Sequence, residues 1–206
     1  MEKSIYKLYY TYMKVLFILL AVSIAVLLGY YVMFADKSED KKDAISIDGG
    51  TTSTYNVADG GIAFDYKTGV GGYVVEERMP VDIGEEPIKV ILLMQAEDAK
   101  NEPPIGGEGP PVVSVALYTN KENLSPKAWA EKNPQHSNVN LVQGAISDIT
   151  VAGASAIRYM ADGLYASENV VVANNGMIYV ITGQFIDQNS DIRLDFPAFV
   201  ESIRFI

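Results

Sequence analysis

VVVANNGMIYVITGQF, residues 170–185, is the stretch that decides the fold of this chain. Two apolar runs, Val170–Ala173 and Met177–Phe185, flank Asn174-Asn175-Gly176. An Asn-Gly pair between such runs is the strongest short-range sign of a β-hairpin, because both central residues of the tight turn need positive φ. The same reading extends outward. Ile146–Val151 and Ala156–Met160 flank Ala152-Gly153, a second tight connection. Ile62–Tyr66, Tyr73–Glu77, Ile88–Ala96 and Val112–Tyr118 are rich in Val, Ile, Leu and Tyr and read as further strands, with Gly69–Gly72 turning the chain between the first two. Helices are fewer. Ser125 is a good N-cap and Pro126 a good first helical residue, so Lys127–Lys132 completes a short helix. From Ser190 to Ile203, Ile192, Phe196, Phe199, Val200 and Ile203 recur at helical spacing. This order predicts an α+β domain, a largely antiparallel sheet flanked by helices.

Ahead of that domain, Val15–Ala35 is an uncharged run of 21 residues between Lys14 and Asp36. As a helix it would be about 31 Å long, close to the hydrocarbon thickness of a bilayer. Leu16, Leu20 and Leu27 are among its apolar residues, and tyrosines gather at both ends: Tyr6, Tyr9, Tyr10 and Tyr12 before it, Tyr30 and Tyr31 near its close. Amphipathic rings belong at headgroup depth, so a single transmembrane helix is expected over 15–35, with 1–14 a short cytoplasmic N-terminus. The alternatives are a buried core helix and a cleaved signal peptide. Cleavage after Ala35 would place Met33 where a small residue is wanted, and the run exceeds the usual apolar length of a signal peptide. Lys3, Lys7 and Lys14 before the helix balance Lys37, Lys41 and Lys42 after it. The short leader decides the expected orientation: a cytoplasmic (inner) membrane protein with its domain outside.

DKSEDKKD, residues 36–43, and IDGGTTST, residues 47–54, have the composition of a solvated linker. A tether is therefore expected over 36–57 and a soluble domain over 58–206. Residues 36–206 carry 25 Asp or Glu against 13 Lys or Arg, a net charge of −12. Such a surface repels nucleic acid and anionic headgroups, so neither is an expected partner. There is no cysteine, which removes disulfide and thiolate chemistry.

FDYKTGVGGYVVEE (64–77), SPKAWAEKN (125–133), ISDITVAGASAIRYM (146–160) and the closing hairpin with FVESIRF (199–205) together resemble the PsbP-like family, named for an extrinsic photosystem II subunit. The resemblance covers residues 60–206 and rests on element order. It implies an α/β/α sandwich around an antiparallel sheet and a role in binding or assembly. The membrane helix departs from the peripheral photosynthetic members. No residue here matches their partner- or metal-binding positions, so no site is carried over.

Chemistry is sparse. His136, the only histidine, reads as a loop residue, and a histidine-dependent hydrolase would hinge on it alone. Trp129 reads as the core anchor of its helix. Asp187-Gln188-Asn189-Ser190-Asp191 has calcium-loop spacing, but Ile192 and Ala198 stand where glycine and a bidentate glutamate are needed, so capping by Ser190 or Asp191 is the preferred reading. The acid pairs Glu76-Glu77, Glu85-Glu86 and Glu97-Asp98 do not converge, since strand neighbours point to opposite faces. The proline-bracketed loop from Asn101 to Pro111, with Pro103, Pro104, Ile105, Pro110 and Pro111, reads either as a plain connection or as a lip that contacts a partner. The expected function is a membrane-anchored, extracytoplasmic module that binds a protein or small ligand without a cofactor. The alternatives are a structural protein assembling through Ala21, Ala25 and Gly29 of its anchor helix, and a carboxylate/His hydrolase.

Overall fold

The computed structural model describes residues 50–78, 87–101 and 108–206. Ten strands run through them: β1 (Thr51–Val57), β2 (Ile62–Thr68), β3 (Tyr73–Arg78), β4 (Lys89–Gln95), β5 (Val113–Thr119), β6 (Val142–Val151), β7 (Ala154–Asp162), β8 (Ala166–Asn174), β9 (Met177–Phe185) and β10 (Arg204–Phe205). Three α-helices accompany them: α1 (Pro126–Lys132), α2 (Pro134–Ser137) and α3 (Asp191–Glu201). The described residues form one compact unit. The anchor residues Lys14, Leu16, Leu20, Leu27, Tyr30 and Tyr31, and the small residues Ala21, Ala25 and Gly29, lie outside the described residues. Among the described residues, no helix is long and apolar enough to cross a membrane.

The Asn-Gly turn forms as read. Asn175 and Gly176 hold φ of 48° and 73°, and β8 pairs with β9 from Ala166↔Phe185 to Asn174↔Met177. Ala152 and Gly153 repeat the geometry at 48° and 81°, closing β6 onto β7. These hairpins build one side of a seven-stranded antiparallel sheet in the order β3-β4-β5-β9-β8-β7-β6. Alternate residues of its strands feed two separate cores. Val170, Val172, Tyr179, Ile181, Val115 and Leu117 face a core shared with Ile192, Phe196, Phe199 and Val200 of α3. Val171, Ile178, Val180, Ile157 and Tyr159 face a second core that holds Trp129 and Ala130 of α1. Cover on both faces explains why 170–173 and 177–181 read as near-continuous apolar runs rather than alternating ones.

The Ser125 cap is as expected: its Oγ accepts a hydrogen bond from the Ala128 backbone N–H at 3.2 Å, with Pro126 in the first turn. On the opposite face, α3 lies close against the sheet. A Cβ on Gly183 would sit 2.4 Å from Cδ2 of Phe196, so only glycine lets the helix approach this near. Glu168 of β8, its side chain only 4 % exposed, ties α3 down through Arg193 (Nη1–Oε2 2.5 Å) and also pairs with Arg158 of β7.

Two features of the strands differ from the sequence reading. Thr51–Val57, assigned to the tether on composition, is strand β1, paired with β2 from Thr51↔Thr68 to Val57↔Ile62. Its polar residues mark a solvated edge strand, and it is held by Val57 in the core and by the Tyr55 ring stacked on Phe64 at 5.6 Å. The folded unit therefore begins well before residue 58. Second, β1, β2 and β10 form a separate three-stranded sheet, which the closing residues Arg204–Phe205 complete by pairing with Ala63 and Ile62.

Candidate functional site

Gly69–Gly72 reverses the chain so tightly that a Cβ on Gly72 would lie 2.6 Å from the Thr68 carbonyl carbon. That turn brings Tyr73, first residue of β3, to the same carboxylate as Lys67 of β2, that of Asp195. Tyr73 points into the interior, and α3 lays Asp195, Phe196 and Phe199 across from it. The result is a cleft of about 200 Å³ between the two sheets and α3. Its floor is apolar and buried: Leu93, Val113, Phe196 and Phe199. Its rim is polar, with Thr52, Lys67, Asp195 and Ser202.

One carboxylate organises the mouth. Asp195 Oδ1 meets the Lys67 ammonium at 2.5 Å, and Oδ2 accepts a hydrogen bond from the Tyr73 hydroxyl at 3.1 Å. Burial, then the charge of Asp195 and the hydrogen bond to it, push the Tyr73 hydroxyl far above the usual phenol range, so it stays a donor. Asp195 is thus fixed from beneath. Lys67 is not: its side chain is 59 % exposed against 21 % for Asp195. An ion pair of that exposure contributes about 1 kcal/mol or less and exchanges readily with water or another cation. The neighbouring rim carboxylate, Asp65, is committed elsewhere, to Arg204 at 2.7 and 3.0 Å and Thr54 at 2.6 Å.

The residues singled out from sequence lie away from this cleft. His136 is not a loop residue but lies half-buried in α2, and it and Trp129 come together, each against Tyr118, with ring centroids 5.1 and 4.9 Å apart, around a second hollow of about 320 Å³. Trp129, 5 % exposed, is the core anchor it was read to be. The polar groups around it are largely spent on local structure: Asn120 closes its loop through Leu124 at 2.9 Å in both directions, and Lys132 pairs with Glu122. A third hollow, of about 460 Å³, lies beside Pro110 and Pro111, where Tyr165 donates to the Gly109 carbonyl at 2.7 Å. Pro103, Pro104 and Ile105 lie outside the described residues, as do Glu85 and Glu86.

The D-x-N-x-D segment is an Asx turn. Asp187 Oδ1 accepts from the Asn189 backbone N–H at 2.7 Å, and Asp191 Oδ2 accepts from Gln95 at 3.1 Å. Ser190 occupies the N-cap position of α3, yet its hydroxyl turns back to the Asp187 carbonyl at 2.8 Å instead of capping the helix. Among the described residues, no group of three or more His, Asp or Glu could hold a metal ion. Glu76 and Glu77 diverge as expected, to Arg78 at 2.9 Å and Lys89 at 3.1 Å.

Sequence reasoning missed Lys67, Tyr73 and Asp195, which only the fold assembles. Comparison with known proteins then places the architecture. No protein-family model matches the chain, and no curated protein matches it. Among solved structures, it is similar to the solution structure of cyanobacterial PsbP from Synechocystis sp. PCC 6803, at 9 % identity and a TM-score of 0.51, over 76 % of this chain and 93 % of that one. The fold is PsbP-like.

Proposed function

We propose that this protein is a membrane-tethered binding or assembly module, held by residues 15–35 and presenting its PsbP-like unit outside the cytoplasm. The observation that carries the binding half is the cleft between the two sheets: an apolar floor beneath a mouth closed by an exchangeable ion pair. A few convergent polar groups around an apolar hollow are the ordinary makings of a ligand site. The resemblance to the PsbP-like family, noted on residues 60–206, supports the same class of role. The tethering half rests on the uncharged run and its tyrosine belts.

Protease treatment of intact cells stripped of any outer barrier tests the tether. Digestion to a protected N-terminal fragment is the expected result. Digestion only after membrane lysis would reverse the orientation, and release of an undigested domain would make the apolar run a cleaved signal.

A further inference from the structure

We propose that the cleft beneath Lys67 and Asp195 binds a small amphipathic amine, whose ring-sized apolar group fills the floor and whose ammonium replaces that of Lys67 on Asp195. The inference rests on the binding reading above and names the ligand class for the same site.

Size sets the apolar part. About 200 Å³ exceeds the roughly 150 Å³ apolar cavity known to admit benzene, so a single ring or a short branched chain fits. Leu93, Val113, Phe196 and Phe199 give such a group nothing but carbon to pack against. Charge sets the head. Asp195 is held in place by the buried Tyr73 hydroxyl, and the partner it presents to solvent is a flexible, exposed ammonium. Lys67 therefore already marks the position that a ligand ammonium would take. A carboxylate head could pair with Lys67 only by displacing Asp195, and would then lie against that carboxylate, with Asp191 of the same helix adding its negative charge near the Tyr73 hydroxyl. The excess of acidic residues over 36–206 favours the approach of a cation.

The test uses the full chain in lipid nanodiscs, following methyl resonances of Leu93, Val113 and Ala198 during titration with 2-phenylethylamine, toluene or phenylacetate. The amine should shift these methyls at saturable concentration, and phenylacetate should not. Asp195→Asn should weaken the amine by about tenfold and leave toluene unchanged, as loss of one charge-assisted contact requires. Lys67→Met should tighten the amine by about three- to tenfold, because the tethered competitor is gone. A purely structural ion pair would not produce that gain. Phenylacetate binding as well as the amine, or an amine affinity indifferent to both substitutions, would overturn the amine class while leaving an apolar site. No cleft shift with any of the three probes would overturn the cleft as a site, and the binding reading with it.

Discussion

Gly183 shows how much of this fold hangs on one missing atom. Any side chain there meets the Phe196 ring, with contacts of 2.4 to 2.9 Å. Gly183→Ala should therefore push α3 off the sheet and cost about 1–3 kcal/mol, read as a lower urea midpoint, and Phe196→Leu in the same chain should recover part of the loss. Asp65 offers a prediction of a different kind. The Arg204 guanidinium, and after it the Thr54 hydroxyl, hold its carboxyl down at about 2. Its value in the unfolded chain is near 3.9, so the unfolded state takes up the proton first. The stabilisation is full above about pH 4 and is lost as pH falls through about 2. In an Arg204→Ala chain the Asp65 carboxyl resonance should titrate close to the ordinary aspartate range, and the acid limb of the melting curve should flatten. An unchanged midpoint would mean that Arg204 is not the cause.

At the scale of elements, α3 is fastened by charge as well as by packing. Glu168 is buried between Arg158 and Arg193, and removing one partner of such a cluster strands the others. Both arginines keep some access to water, so Glu168→Gln should cost about 3 kcal/mol, the lower end for buried pairs. Amide exchange should quicken in α3 before it does in β8. Elements that declare themselves locally were legible in the sequence. The Asn175-Gly176 turn, the capped helix α1 and the apolar strands β8 and β9 each carry their own signal within a few residues. β1 was not legible, because an exposed edge strand of Thr, Ser and Asn has the same composition as a linker. β10 is two residues long and exists only through pairing with a strand more than a hundred residues earlier. The cleft was hidden for the same reason. Lys67 and Tyr73 reach Asp195 across sequence separations of 128 and 122 residues, and no spacing rule operates at that range.

For the whole molecule, the folded unit includes β1 from Thr51 and does not start at 58. A chain cut to 58–206 would lose every β1–β2 pair and the Tyr55 ring over Phe64, leaving β2 as an open edge prone to association. Compared with 48–206, it should be less stable by about 3 kcal/mol, roughly 6–12 °C in Tm. Equal melting of the two would show that β1 is an ornament. The attachment of β1 also has a mechanical side. β1 and β2 form a hairpin whose open end is Thr51↔Thr68, so a pull on the chain at Gly50 loads its rungs one at a time, as a zipper is loaded, and not all together in shear. The second rung to part is Thr52↔Lys67, and both of those residues stand on the rim of the cleft. Tension applied at Gly50 would thus part Thr52 from Lys67 at the mouth of the cleft before it reached Val57 in the core.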